Sequence, residues 1–142
     1  MTARQVETVA ALFAAAAQAD TTEIARILHP DFTIEQAQGT PYSGTYHGVD
    51  GFIEMFGILT SHFDIAQRNL VFHDTGDGEI GVIVTFDVDF TARATGRRAS
   101  SGNVELYRFS DNRIARIDVY YKDAAAVADL AVPAERATEP QT

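Results

Sequence analysis

Two carboxylates in the C-terminal half of the chain, Glu105 and Asp118, have the types and spacing for acid/base chemistry. Each lies in a stretch with strand character, and the turn signal Asp111-Asn112 lies between the two stretches. A two-residue hairpin turn at this point would place Glu105 directly opposite Asp118. Two carboxylates side by side raise the pKa of one of them, which is a usual arrangement for a general acid and base.

The alternating pattern of the Glu105 stretch leaves the orientation of its side chain open. Glu105 shares one strand face with Asn103 and Tyr107, whereas Val104 and Leu106 share the other. Periodicity alone would bury Val104 and Leu106 and leave Glu105 in solvent. The opposite orientation would desolvate Glu105, raise its pKa and allow it to act as an acid/base group.

Asp118 presents a similar choice. The apolar face of its stretch is formed by Ile117, Val119 and Tyr121. Asp118 therefore either joins Glu105 in a pocket or points outward, in an ion pair with Arg116 or Arg108. A β-bulge in the hairpin would decide between these orientations.

Two further polar residues are candidates for a site. Gln36 follows an apolar strand signal, where it either orients a substrate carbonyl or a water, or bonds to local backbone. His47 lies in a glycine-rich loop, where it either acts as a proton shuttle at a pocket mouth or is simply exposed to solvent. The other histidines lack metal-ligand spacing, and no phosphate-binding loop or dinucleotide-binding glycine pattern is present. We therefore expect no metal and no cofactor.

Length and composition exclude several classes of protein. The chain has 142 residues, a formal net charge of −9 and no cysteine. We expect one domain over residues 1–128 and a flexible tail over 129–142. Without clustered Lys and Arg, we expect it to bind neither nucleic acid nor an anionic membrane surface. With no cysteine, no membrane-spanning apolar run and no signal-peptide pattern, we expect a cytoplasmic protein without disulfides.

The order of predicted elements indicates the fold class. Apolar residues at helical spacing and two capping signals predict two helices in the first third of the chain. The same spacing predicts a third helix that contains Phe52. Segment 37–48, between a short Phe32–Ile34 strand and this helix, is predicted as a loop. Strands are predicted at 65–72, 82–90, 103–109 and 114–121, and a short last helix at 123–130. Helices on one face of a mostly antiparallel sheet define the α+β class.

Three stretches of the chain resemble a known superfamily. They are Leu28-His29-Pro30-Asp31-Phe32, the Pro41-to-Gly48 segment before the Phe52/Phe56 helix, and the hairpin from Glu105 to Tyr121. In this order they resemble the nuclear transport factor 2-like superfamily, which includes ketosteroid isomerases, SnoaL-like polyketide cyclases and limonene epoxide hydrolases. The resemblance covers about residues 5–125. It implies a cone-shaped fold whose helices and curved sheet enclose an apolar pocket, and it implies a homodimer.

The resemblance also assigns roles to particular positions. The general base of ketosteroid isomerases falls on Gln36, their oxyanion-hole tyrosine on Leu12 and their pocket acid on Glu105. Glutamine does not take up a proton as a carboxylate does, and leucine donates no hydrogen bond, so we do not expect that mechanism. The Arg-x-Asp pair of the epoxide hydrolases is replaced by Asn103-x-Glu105. SnoaL-like cyclases use an acid on the last strand, which here carries Asp118.

The function implied is that of a cofactor-independent SnoaL-like enzyme. It would perform cyclisation, isomerisation or dehydration on a small apolar carbonyl compound. The catalytic candidates are Glu105, Asp118 and His47. The substrate-binding candidates are Gln36, Leu12, Phe52, Phe56, Phe86, Val88, Asn103, Tyr107, Ile117, Val119 and Tyr121. The alternative is a non-catalytic module of the same fold, for binding a small hydrophobic ligand or for dimerisation.

Overall fold

The structure is a computed structural model, and it describes residues 2–76 and 79–131. Part of the predicted turn at 74–78 and most of the predicted tail at 129–142 lie outside the described residues.

The described residues form a sheet of six strands on one side of the helices. The strands are β1 Leu28–Gln36, β2 Gly44–His47, β3 Phe63–Asp74, β4 Val82–Ala92, β5 Arg98–Ser110 and β6 Arg113–Tyr121. They pair in the order β2-β1-β6-β5-β4-β3, and only the β1–β6 pair is parallel. The sheet is curved and not closed into a barrel. The predicted α+β class and cone-shaped fold are confirmed.

Local sequence signals begin and end the second helix. α1 spans Thr2–Ala17 and α2 spans Thr21–Ile27. Asp20 caps α2, because its carboxylate accepts a 3.1 Å hydrogen bond from the backbone N–H of Glu23. The residue before Pro30 disfavours helical backbone, and the chain leaves α2 as an extended strand.

Two more helices complete the layer. α3 spans Gly48–His62 and α4 spans Ala124–Leu130. Phe52, Met55 and Leu59 recur at helical spacing on α3, and all three are buried. This apolar face packs toward the inner side of the sheet.

The clearest alternation in the sequence marks the inner side of the sheet. Along β4 every second residue is buried and the residues between them are half-buried. The buried set is Val82, Val84, Phe86, Val88, Phe90 and Ala92. Because side chains alternate between the two faces of a strand, this set fixes which face meets the helices.

The predicted loop over 37–48 was wrong in part. Its residues Gly44–His47 form the edge strand β2, in which Thr45 pairs with Glu35 of β1, and Gly48 begins the helix α3. Four residues beside glycines carry too little alternation to indicate a strand. β1 is also longer than the predicted Phe32–Ile34. Pro30 lies where the register between β1 and β6 is irregular, so the absence of its N–H removes no regular ladder bond.

The β5–β6 hairpin contains the bulge on which the site prediction depends. Asp111 and Asn112 form its turn with φ of 54° and 63°. Both residues tolerate this left-handed backbone, which two-residue hairpins favour. The register then shifts between Arg108 and Phe109. The shift is the effect of a bulge, since one strand gains a residue relative to its partner.

The predicted pairing of Glu105 with Asp118 is therefore wrong. Glu105 lies opposite Val119, and Asp118 lies opposite Leu106. Because neighbouring positions alternate between faces, a one-residue shift moves Asp118 to the outer face of the sheet.

Candidate functional site

A cavity of about 430 Å³ lies between α1, α3 and the inner face of the sheet. This volume is within the range of sites for small organic molecules, about 300–1,000 Å³. Most of the predicted site residues contribute to its walls. They are Leu12, Gln36, Phe52, Phe56, Phe86, Val88, Asn103, Glu105, Tyr107, Ile117 and Tyr121.

Three predicted site residues do not line the cavity. His47 is exposed on the edge strand β2, where it pairs with Thr33. Val119 is buried in the core beside Glu105, without a share of the cavity wall. Asp118 lies on the outer face for the reason given above.

Two arginines bind Asp118 on the outer face. Nη2 of Arg116 donates a 2.8 Å hydrogen bond to Oδ1 of Asp118, and Nη1 of Arg108 donates to Oδ2. The side chain of Asp118 is only 9% exposed. A carboxylate is buried at acceptable cost when it is paired in this way, so Asp118 is accounted for by a structural role.

The carboxylate of Glu105 faces the cavity from β5. Its Oε1 accepts a 2.6 Å hydrogen bond from the hydroxyl of Tyr107. Desolvation by the surrounding protein raises the pKa of Glu105 from 4.5 to about 7, although the Tyr107 hydrogen bond acts in the opposite direction. A carboxyl group with a pKa near 7 is populated in both protonation states at neutral pH, and it can therefore take and return a proton.

Asn103 lies two residues from Glu105 on the same face of β5. Its side chain lines the cavity and is 4% exposed. The amide interacts with the hydroxyl of Tyr121. Among the described residues, none donates a hydrogen bond to Oδ1 of Asn103. A buried acceptor without a donor is uncommon in native proteins, so the Asn103 amide has hydrogen-bonding capacity left for a ligand.

Gln36 contributes a second amide from β1. Its Nε2 donates to the sulfur of Met55 at 3.3 Å, and its Oε1 accepts from the backbone N–H of Ala37 at 3.3 Å. The sulfur is a weak acceptor, and the amide nitrogen carries a second N–H. Gln36 and Glu105 lie on strands separated by β6, at about 10 Å between backbones. A small molecule between them can contact both.

Tyr42 is a residue that the sequence did not single out. It is fully buried in the segment before β2, and its hydroxyl lies 2.6 Å from that of Tyr121. Desolvation raises the pKa of both phenols above the usual value, so both stay protonated. The Tyr42–Tyr121–Asn103 chain positions the Asn103 amide. The sequence contains no signal that this loop tyrosine reaches the last strand.

An ion pair lies in the cavity wall where the wall meets solvent. Nη2 of Arg93, just after β4, lies 2.9 Å from Oδ1 of Asp64 at the start of β3. The side chains are 54% and 67% exposed, so this pair adds little stability. Neither residue was predicted, because the contact depends on the β3–β4 pairing.

The described part of the chain has no metal-binding cluster. Within residues 2–76 and 79–131, no three His, Asp or Glu side chains converge in a ligating arrangement. None of the helices described there is both long and apolar enough to cross a membrane.

The sequence comparison shows the family of the chain. Residues 9–117 match the SnoaL-like domain. The chain belongs to the SnoaL-like family. The match includes α3 and the β4–β5 strands that form the cavity walls. No curated protein matches this SnoaL-like chain in sequence.

Solved structures share the fold of this SnoaL-like protein. An NTF2-like protein from Burkholderia xenovorans LB400 has a TM-score of 0.84 at 20% identity, covering 93% of this chain and 98% of that chain. A proposed polyketide cyclase from Xanthomonas campestris pv. campestris has a TM-score of 0.75 at 17% identity, with coverages of 89% and 96%. TerC, co-crystallised with polyporic acid, has a TM-score of 0.72 at 20% identity, with coverages of 90% and 98%. These likenesses establish the NTF2-like fold.

Proposed function

We propose that this SnoaL-like protein is a cofactor-independent enzyme that performs acid/base chemistry on a small, largely apolar carbonyl compound. The observation that carries the proposal is Glu105, a half-buried carboxyl group in the cavity wall whose pKa is raised to about 7 by desolvation. Perturbed carboxylates in cavities of ligand size are typical of general acids and bases.

The proposed chemistry begins at the carbon next to the carbonyl. Ionised Glu105 removes a proton from this carbon, and the electron pair of the C–H bond forms an enolate. Protonated Glu105 then returns the proton to another atom, which gives an isomer. Attack of the enolate on a second carbonyl gives cyclisation, in which the alkoxide formed takes the proton from Glu105. Loss of a hydroxyl group from the neighbouring carbon gives dehydration, in which the hydroxyl leaves with that proton as water.

The amides on either side would orient the substrate. The free N–H of Gln36 is the donor for the carbonyl oxygen, where negative charge develops. The amide of Asn103 is the further polar contact beside Glu105. The rest of the wall is mostly aromatic and aliphatic, which favours an apolar substrate body.

The test is enolisation itself, which does not require knowledge of the product. Small aryl and cyclic ketones are incubated in D2O, and exchange at the carbon next to the carbonyl is followed by NMR. We expect at least one ketone to exchange faster in the presence of the wild-type protein than in buffer alone. Glu105→Gln is expected to reduce that rate at least about 100-fold. Glu54→Gln, an exposed position on α3, is the matched control and should exchange as the wild type does.

A non-catalytic ligand-binding module is the alternative. Leu12 favours it, because this α1 side chain lines the cavity without offering a hydrogen bond to a developing oxyanion. The same ketones would then raise the melting temperature of wild type and Glu105→Gln alike, without exchange in either. That pair of results would reject the enzyme proposal.

A further inference from the structure

A second depression adjoins the cavity on the side of the helices. It has a volume of about 350 Å³ and lies between the end of α1, α2 and α3. We call it the helix groove. Five residues belong both to its walls and to the walls of the cavity: Ala16, Ala17, Phe52, Phe56 and Thr60. The two spaces therefore share one wall.

Small side chains create the helix groove. Ala16 and Ala17 end α1, and Gly57 faces them from α3. A Cβ added at Gly57 would meet no atom within 4 Å. Ala17, Ile53 and Gly57 are exposed, so the helix groove is open to solvent and a ligand can enter it without displacing a side chain.

The surface of the helix groove is largely apolar. Ile24 is buried at its base, and Ile53 is 37% exposed at its outer side. Phe52 and Phe56 stack at 6.1 Å between ring centroids and form the shared wall. Phe56 is half-buried, and it has the largest side chain among the shared residues that are partly exposed.

We infer that the helix groove is a second subsite, which binds an apolar extension of the molecule whose carbonyl lies at Glu105. This inference rests on the proposed function for the position of the carbonyl. The two spaces adjoin along five shared residues, and this is the reason to assign the extension to the same molecule. The substrate class is then a carbonyl compound with an alkyl chain or a second ring, longer than the cavity alone accommodates.

Chain length is the variable that tests the subsite. The probes are straight-chain methyl ketones of increasing length, and their Kd is measured with the wild type by calorimetry or by displacement of a fluorescent dye. Each buried CH2 improves the affinity about fourfold. We expect this gain to continue past the length that fills the cavity, until the chain also fills the helix groove.

Two variants make the groove unfit for an apolar chain without changing the residues around Glu105. Gly57→Phe places a ring in the open space, and a helical side chain there lies over Ile53, one turn toward the N-terminus. Ile53→Asp places a charge on the apolar surface. Both should bind short ketones as the wild type does and lose the gain with long ketones. Gly57→Ala leaves the groove open and is the matched control, with the gain retained.

The outcomes separate the subsite from the proposed chemistry. A length-dependent gain that Gly57→Phe abolishes supports the subsite, even if no ketone undergoes exchange and the enzyme proposal fails. Equal losses for short and long ketones, an unchanged gain in both variants, or no binding of any ketone at its solubility limit would overturn the subsite. Exchange catalysed by Glu105 would then still support the enzyme proposal. A melting curve shows whether each variant is folded. If Gly57→Phe is unfolded, the result with Ile53→Asp decides the test.

Discussion

The hydroxyl of Tyr107 donates a 2.6 Å hydrogen bond to Oε1 of Glu105, which lies two residues earlier on the same face of β5. This bond leaves Oε2 of Glu105 for a substrate. It also stabilises the ionised carboxylate, so it opposes the desolvation that raises the pKa to about 7. Tyr107 is therefore a positioning residue, which sets the orientation and the proton affinity of Glu105.

Tyr107→Phe tests this role directly. The substitution keeps the ring and removes the hydroxyl, so the pKa of Glu105 should rise above the wild-type value. The measurement is a carboxyl-carbon NMR titration, with Glu105→Gln to assign the signal. The pH profile of ketone exchange should shift in the same direction. An unchanged or lower pKa in Tyr107→Phe would show that the hydroxyl does not support the ionised form.

The raised pKa of Glu105 also predicts how stability depends on pH. The folded state holds this proton up to about pH 7, whereas the unfolded chain releases it near pH 4.5. The contribution of Glu105 to stability is therefore full below pH 4.5 and is lost as the pH rises to about 7. Over that range the free energy of unfolding should fall by up to about 3 kcal/mol relative to a chain without this carboxyl group.

Glu105→Gln is the reference for that measurement. Urea unfolding of the wild type and of the variant is compared at about pH 4 and about pH 8. The stability of Glu105→Gln relative to the wild type should be higher at the upper pH. A difference that does not change with pH would mean that Glu105 has an ordinary pKa.

The outer-face ion pairs of Asp118 predict a variant that affects stability only. Asp118→Asn leaves Arg108 and Arg116 close together without their shared carboxylate. Both arginines are about one-third exposed, so we expect a loss of about 1–2 kcal/mol, less than for a fully buried pair. Exchange of a reactive ketone should be unchanged, since Asp118 lies on the opposite face from the cavity. A loss of exchange in a folded Asp118→Asn would return this residue to the mechanism.

The sequence predicted the elements better than it predicted the site. Strict alternation from Val82 to Phe90 and the cap at Asp20 are local signals, and both determine local structure. The orientation of Asp118 depends on one bulge after Arg108. A bulge changes the register of every later pair, and no residue type in this hairpin indicates where it falls.

The residues of the cavity walls could likewise be predicted only in part from the sequence. Leu12, Gln36 and Glu105 were placed in the cavity through a resemblance, which supplies the register that periodicity leaves open. Tyr42 was not predicted, because its contact joins residues 79 positions apart. Long-range contacts of this kind depend on the complete sheet order.

The outer face of the sheet leads to the last prediction, which is a homodimer. Val104 and Leu106 are half-buried on this face, and Tyr120, opposite Val104, is 56% exposed. An apolar cluster at the surface is typical of an interface between proteins. We expect light scattering to give about twice the 15.5 kDa mass of the chain.

Tyr120→Glu should convert this dimer into monomers, because each copy would bury an unpaired charge in the interface. Leu70→Glu is the matched control. Leu70 is 39% exposed on β3, three strands from β6 in the sheet, and its substitution should leave the mass unchanged. A wild-type mass near 15.5 kDa at micromolar concentration would contradict the dimer. A dimer that Leu70→Glu disrupts and Tyr120→Glu does not would place the interface at β3, because only charges inside an interface weaken it.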